Sequence, residues 1–135
     1  MGGTEEHGSS GAPEPERRFT LEEATELLGE LRRRLPRVRS ARQALLASAR
    51  RVAASAATDG GGGAGAAWFS AARELREQVE WLAAQGVLLR DAETGLVDFP
   101  SERDGEPIYL CWRLGEPTIA WYHDRTSGLR GRRPL

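Results

Sequence analysis

Four side chains in the last third of the sequence could form a functional site: Asp98, Arg113, His123 and Asp124. Asp98 lies within an apolar run, where a carboxylate needs a polar partner, and Arg113 or His123 could supply one. A histidine beside a carboxylate is typical of a general base or of a metal ligand. We therefore treat these four residues as a candidate ligand site. The sequence names no catalytic residue, metal or cofactor for it.

Each of these side chains also has a purely structural interpretation. His123 would end a core strand and could simply donate a hydrogen bond to a backbone carbonyl, since no second histidine lies in the predicted fold. A contact between Asp98 and Arg113 or His123 could be an ion pair that serves no ligand. In either case we expect Asp98 to meet one of these partners near the mouth between a sheet and a pair of helices.

Cys111, the single cysteine, could be a nucleophile with His123 as its base. The spacing argues against this, because pairing Arg113 with Thr118 sends Cys111 and His123 to opposite faces of a β-hairpin. The mixed face would then carry Tyr109, Cys111, Arg113, Thr118, Ala120 and Tyr122. The core face would carry Ile108, Leu110, Trp112, Ile119, Trp121 and His123. A buried cysteine with a structural role is the simpler expectation.

A long amphipathic helix should precede this region. Thr20 and Glu23 have the spacing of a capping box, which satisfies the first free amides of a helix. Apolar residues then recur every seven positions over residues 21–52, the pattern of a helix that packs along another helix. Pro36 lacks an amide hydrogen and should kink or split this helix.

A second helix and a small sheet should complete an α+β fold. The Gly-rich segment 59–65 predicts a flexible linker, so the two helices would pack as a long antiparallel helical hairpin over residues 20–86. Alternating apolar residues and turn signals over residues 87–123 predict a three- or four-stranded antiparallel sheet that packs on this hairpin.

The ends of the chain differ from this central part. Residues 1–18 are rich in Gly, Pro and Glu and should be a disordered tail, which leaves 19–135 as a single domain. Residues 124–135 are expected to form an extended C-terminal arm. The start of the sequence lacks the features of a signal peptide, and no apolar run is long enough to cross a membrane. We therefore expect a cytoplasmic protein.

Composition places few limits on function. The formal net charge is −1, and all nineteen basic residues are arginine, with a cluster in residues 31–58. Such a cluster could contact a nucleic-acid backbone. The near-neutral charge and the glutamates upstream favour a solvated helix face instead, so nucleic acid is an unlikely partner.

Several segments of the sequence are similar to a known family. They are Phe19–Ala24, Gly95–Pro100, Leu110–Pro117, Trp121–His123 and Gly131–Leu135. Over about residues 19–135 the chain resembles the bacterial family called domain of unknown function 2203. That family has no assigned activity. The resemblance therefore implies a single domain and transfers no catalytic residue.

The residues together favour a non-enzymatic interaction or regulatory module. Two helices with a continuous apolar stripe and only a small sheet would leave apolar surface uncovered, which predicts self-association or binding of another protein. The alternative is a ligand- or metal-binding protein, or an enzyme, that uses Asp98, Arg113 and His123. Nucleic-acid binding through the Arg-rich helix is a weaker alternative.

Overall fold

The computed structural model describes residues 17–59 and 65–135, so most of the predicted tail and linker lies outside the described residues. The fold is α+β, as the sequence predicts: helices come first and an antiparallel sheet follows. The helices are α1 (Leu21–Glu26), α2 (Leu28–Asp59) and α3 (Gly65–Gln85). The strands are β1 (Leu88–Asp91), β2 (Leu96–Arg103), β3 (Glu106–Arg113), β4 (Trp121–Asp124) and β5 (Arg133–Pro134), and a 3-10 helix spans Gly128–Gly131.

The first helix begins with the predicted capping box. The Thr20 hydroxyl accepts a hydrogen bond from the Glu23 amide at 3.0 Å, and the Glu23 carboxylate accepts one from the Thr20 amide at 2.9 Å. Just before it, the amide of Phe19 donates to the carbonyl of Pro100 at 2.7 Å. The start of the helical region is therefore tied to the sheet by backbone contacts.

The interruption in the helical region falls at Leu27 rather than at Pro36. Helix α2 begins at Leu28 and runs unbroken through Pro36, so this proline does not split the helix, and a kink at Pro36 stays a prediction. Leu35 and Val38, on either side of it, are both fully buried. Tertiary packing of the apolar face offsets the backbone hydrogen bond that a proline removes.

Helices α2 and α3 form the predicted antiparallel pair. Arg34 donates to the side-chain oxygen of Gln78 at 3.0 Å and lies 4.3 Å from the ring centre of Trp81. Further along α2, Ala41 lines a groove together with Ala71 of α3, and Ala71 precedes Gln78 in the sequence. The opposite order of these contacts shows that the helices run in opposite directions. Within the described part of the chain, neither they nor α1 combines the length and apolarity that a membrane span requires.

The apolar seam of α2 is buried within its own chain. Leu31, Leu35 and Val38 expose 1% of their surface or less, whereas Leu21 and Leu46 are 45% and 43% exposed. Because the protein's own core already covers the seam, a second copy is not needed to bury its centre. Self-association stays a prediction, and it would have to use exposed apolar side chains such as Leu21, Leu46 and Phe69.

The sheet contains five strands, one more than the largest number predicted. Strand order follows the chain from β1 to β5, and each strand pairs antiparallel with the next. The additional strand is β5, which lies in the segment predicted to be an extended arm. A strand of two residues, one of them proline, carries no alternating pattern, so the sequence could not indicate it.

The two faces of the sheet have different environments. Val97 and Phe99 of β2 pair with Trp112 and Leu110 of β3, and all four are buried in the core with α1 and α2. We call this the inner face. Strand alternation sends Asp98 and its partner Cys111 to the opposite side, the outer face of the sheet.

The pairing of β3 with β4 differs by one residue from the predicted hairpin. Tyr109 pairs with His123, and Cys111 pairs with Trp121. A shift of one residue exchanges the two faces, so the predicted faces of β4 were wrong. Tyr122 packs against the core, while His123 and Trp121 share the outer face with Cys111. The cause is the connection after β3, which is longer than the tight turn that the sequence suggested.

Candidate functional site

A buried carboxylate organises the outer face of the sheet. Asp98 is 2% exposed and His123 is 3% exposed. His123 Nε2 lies 3.1 Å from each carboxylate oxygen of Asp98, and Arg90 Nε donates to Asp98 Oδ2 at 2.8 Å. The predicted contact between Asp98 and His123 is confirmed. It lies on the outer face, however, and not at the mouth between the sheet and the helices.

Both ring nitrogens of His123 face hydrogen-bond acceptors. Nδ1 lies 2.8 Å from the backbone carbonyl of Asp124, which can only accept, so Nδ1 carries a hydrogen. Nε2 faces the carboxylate of Asp98, and the contact is satisfied when one proton lies between them, on either partner. The ring is thus oriented by the Asp124 carbonyl, and its second nitrogen is directed at the carboxylate.

Cys111 lies beside this pair and is 1% exposed. Its Sγ accepts a hydrogen bond from Arg132 Nε at 3.3 Å, and Arg132 is held in turn by two hydrogen bonds to the carboxylate of Glu116, at 2.8 and 2.9 Å. Burial raises the pKa of the Cys111 thiol more than Arg132 lowers it. The thiol on its own is therefore a poor nucleophile, because the thiolate is the reactive form.

Arg113 is not part of this group, although the sequence made it a candidate. It lies on the outer face opposite Leu96, and its backbone amide donates to Glu116 Oε1 at 2.8 Å. The side chain that binds Asp98 is that of Arg90. Arg113 was a reasonable candidate on strand alternation, but it pairs with Leu96, two positions along the ladder from Asp98.

Arg90 could not be identified from the sequence, because a β-bulge directs its side chain. Leu89 pairs with Val97 and Asp91 pairs with Leu96, so Arg90 is the extra residue between two paired positions. A bulge turns a side chain away from the regular alternation and is common beside functional sites. The hydrogen bond to Asp98 raises the pKa of Arg90. No feature of the sequence indicates this bulge.

Asp124 contributes its backbone rather than its carboxylate. The carboxylate accepts hydrogen bonds from the amides of Thr126 and Ser127, at 2.9 and 2.7 Å. These bonds to the charged form hold the pKa of Asp124 well below its usual range. Its side chain closes a tight turn after β4, so the predicted role as a ligand-facing acid is not what this geometry provides.

A cavity of about 240 Å³ opens beside the Asp98–His123 pair. The guanidinium groups of Arg90 and Arg125 lie 4.9 and 4.2 Å from the ring centre of Tyr109, and both arginines line the cavity. Its described lining consists of Arg90, Leu96, Asp98, Tyr109, Cys111, His123, Arg125 and Thr126. The cavity therefore gives a small molecule or ion access to buried polar groups.

A comparison with known proteins supports the family resemblance of the sequence. The family model described as an uncharacterized conserved protein, DUF2203, matches residues 17–135. The chain belongs to this family. The comparisons found no matching curated protein and no matching solved structure. The family model assigns no activity, so the chemistry must be argued from the geometry.

In this member of the DUF2203 family, the outer face presents three ligand atoms of different kinds. Asp98, Cys111 and His123 each offer one atom, and these atoms lie within 4.8 Å of one another. All three residues are buried. Carboxylate oxygen, thiolate sulfur and imidazole nitrogen are the atoms by which proteins bind zinc.

Proposed function

We propose that the protein binds a zinc-like divalent transition-metal ion through Asp98, Cys111 and His123. The observation that carries this proposal is the approach of their oxygen, sulfur and nitrogen atoms to within 4.8 Å in a buried position. A thiolate favours zinc and similar soft ions over calcium and magnesium, which prefer oxygen ligands. The proposal develops the metal-binding alternative that the sequence raised.

Each proposed ligand has a partner that orients it. Arg90 binds Oδ2 of Asp98, which leaves Oδ1 for a metal. The Asp124 carbonyl accepts the Nδ1 hydrogen of His123, which puts a lone pair on Nε2 when the ion is bound. Arg132 donates to the sulfur of Cys111. Hydrogen bonds of this kind are the usual outer shell of metal ligands, and they set ligand orientation and basicity.

The distances fit a tetrahedral ion with small adjustments. Zinc lies about 2.0–2.3 Å from its ligands, so tetrahedral ligand atoms lie roughly 3.3–3.6 Å apart. His123 Nε2 is already 3.1 Å from both oxygens of Asp98. The Cys111 sulfur, within 4.8 Å of the other two atoms, needs to move by about 1 Å, which a side-chain rotation can supply.

The charges also balance. A carboxylate, a thiolate and a neutral imidazole together carry two negative charges, which cancel those of a divalent ion. Binding must displace the thiol proton and the proton between Asp98 and His123, as is usual for metal sites built from such ligands. Three protein ligands leave a fourth position open toward the cavity, whereas a purely structural zinc site uses four. The site is therefore expected to bind a further ligand.

The interaction-module function stays a prediction beside this one. The centre of the helical seam on which it depends is buried. The nucleic-acid alternative depends on the arginine cluster of α2, and several of these arginines make contacts within the chain. Arg34, for example, stacks on Trp81, and Arg39 donates to the carbonyl of Glu93 at 3.3 Å. The metal proposal has the more specific geometric support.

The proposal is tested by titrating the metal-free full chain with Co²⁺ and recording its absorption spectrum. We expect one equivalent to bind, with a thiolate-to-cobalt charge-transfer band. Cys111→Ser should abolish that band, and His123→Gln should weaken binding by at least tenfold. Glu102→Gln is the matched control, because Glu102 is an exposed carboxylate that pairs with Arg18.

Circular dichroism of each variant must match that of the wild type, so that a loss of binding reports on the ligands. Cys111→Ser is nearly isosteric and serves as the decisive variant if His123→Gln fails to fold. Absence of stoichiometric binding in the wild type, or an unchanged charge-transfer band in Cys111→Ser, would overturn the proposal.

A further inference from the structure

We propose that the metal site takes an oxyanion, the carboxylate or phosphate group of a small ligand, at its open position. This inference rests on the proposed function and specifies its ligand class. It is drawn from the other residues that line the cavity: Arg90, Leu96, Tyr109, Arg125 and Thr126. These residues supply two guanidinium groups, a phenol and a hydroxyl around a cavity that leads to the buried metal ligands.

The charge of the cavity favours an anion. Among its described lining residues Asp98 carries the one carboxylate, whereas Arg90 and Arg125 carry two positive charges. The formal charges of a divalent ion, the Asp98 carboxylate and the Cys111 thiolate sum to zero. The two guanidinium groups then add positive charge to the lining of the metal-loaded cavity, and this charge favours a carboxylate or phosphate as the ligand.

Both guanidinium groups are held in position before any ligand arrives. Arg90 is bound to Asp98 through Nε and lies against the Tyr109 ring, and Arg125 lies against the same ring. The bond to Asp98 uses one of the five N–H donors of Arg90. Guanidinium groups recognise carboxylate and phosphate oxygens by paired hydrogen bonds, and groups already in position lose less entropy on binding.

Asp124 does not compete for this site. Its carboxylate accepts hydrogen bonds from the amides of Thr126 and Ser127 and is therefore turned into the loop that follows β4. The same bonds shape the turn that carries Arg125 and Thr126 to the cavity. Asp124 thus fixes the turn that carries two lining residues and adds no carboxylate to the described lining of the cavity.

The cavity volume limits the ligand to a small one. At about 240 Å³ it corresponds to roughly eight water molecules, at ~30 Å³ each. Sites for drug-sized ligands occupy about 300–1,000 Å³. An oxyanion group with few additional atoms fits this space, whereas a ligand as large as a peptide would extend beyond it.

The experiment uses the full chain loaded with one equivalent of Co²⁺. Sodium phosphate and sodium acetate are added in separate titrations, with sodium chloride at equal ionic strength as the control. We expect phosphate or acetate to change the visible cobalt spectrum and to raise the melting temperature at concentrations where chloride does neither. The more effective anion distinguishes a phosphate ligand from a carboxylate ligand.

Two arginine variants test the recognition. Arg125→Gln should retain its affinity for cobalt and bind the effective anion at least tenfold more weakly. Arg103→Gln is the matched control, since Arg103 stacks on Tyr122, whose side chain packs against the core, and should bind the anion like the wild type.

The outcomes separate the two proposals. If cobalt does not bind in the absence of added anion, the proposed function fails and this inference fails with it. If cobalt binds but chloride acts as well as phosphate and acetate, or none of them changes the spectrum, this inference alone is wrong. An equal loss of anion affinity in Arg103→Gln and Arg125→Gln would also overturn it, because the effect would then be one of general charge.

Discussion

His123 and Asp98 touch across an intervening strand. Asp98 lies on β2 and His123 on β4, and β3 separates them, yet His123 Nε2 is 3.1 Å from both carboxylate oxygens. Alternate strands of a sheet are about 9.6 Å apart, so the two side chains must lean toward each other above β3. Cys111 lies beneath, opposite Asp98 in the ladder. A cysteine is small enough to leave room for the contact.

The first prediction concerns the stability that this contact provides. Asp98→Asn should lower the free energy of unfolding of the metal-free protein by about 1–3 kcal/mol, because Arg90 and His123 lose a buried charged acceptor. Urea denaturation measures the change. Glu102→Gln, whose ion pair with Arg18 is half exposed, should change stability by less than about 1 kcal/mol. Equal effects of the two substitutions would contradict the buried role of Asp98.

Much of the fold could be predicted from the sequence, because its signals are local. The capping box at Thr20, the two helices and the segment of strands each follow from spacing within a few residues. The Asp98–His123 contact was also predictable, since a carboxylate in an apolar strand requires a partner. The face of the sheet on which this contact lies was not predictable. Strand register depends on the loop between two strands, and a shift of one residue sends the side chains to the opposite face.

The rest of the site depends on contacts that spacing does not report. Arg90 reaches Asp98 through a bulge, and Arg132 reaches Cys111 from a segment beyond the last predicted strand. The continuity of α2 through Pro36 has the same origin, since burial of its neighbours outweighs the local cost of a proline. In each case tertiary packing decides between local alternatives that the sequence leaves open.

The two strand tryptophans should differ in their effect on stability. Trp112 is fully buried on the inner face, and Trp121 is partly exposed on the outer face. Trp112→Ala should cost about 3–5 kcal/mol, the usual cost of removing a large aromatic side chain from a core. Trp121→Ala should cost clearly less. Chemical denaturation of both variants checks this, and equal losses would contradict the register of β3 and β4.

Gly95 should tolerate no side chain, for two separable reasons. Its φ of +72° disfavours other residues, and a Cβ atom there would lie 2.7 Å from the Cβ of Leu114. Gly105 has a similar φ of +81° with nothing within 4 Å of an added Cβ, so it controls for the backbone effect alone. Gly95→Ala should therefore lower the melting temperature more than Gly105→Ala. Similar losses in the two variants would show that Leu114 moves away freely.

Glu116 should make stability depend on pH in the acid range. Burial would raise its pKa, but hydrogen bonds from Arg132 and the Arg113 amide lower it further, so the folded-state pKa lies below the ordinary 4.5. A carboxyl of this kind stabilises the fold above 4.5, and that contribution is lost as the pH falls through the folded-state pKa. The difference in unfolding free energy between wild type and Glu116→Gln should be largest at neutral pH and shrink on acidification. A difference independent of pH would contradict the Arg132–Glu116 pairing.

Self-association can be tested at exposed and buried positions of the same helix. If copies of the chain associate, Leu46 should contribute, so Leu46→Glu should reduce the dimer fraction with little loss of stability. Leu31→Glu, in the core, should instead unfold the chain. Sedimentation velocity and thermal melting distinguish these results. A wild-type chain that sediments as a monomer at high concentration would exclude self-association.

The strand order of the sheet has a consequence for when the site can form. Every strand pairs with the one that follows it in the chain, so the sheet can grow by adding one hairpin at a time, and such local pairing favours rapid folding. Asp98, Cys111 and His123 lie on three successive strands. During synthesis the third ligand therefore arrives last. A metal ion that needs all three would be retained only by chains whose sheet had reached β4, so metal loading would report that the sheet has formed as far as this strand.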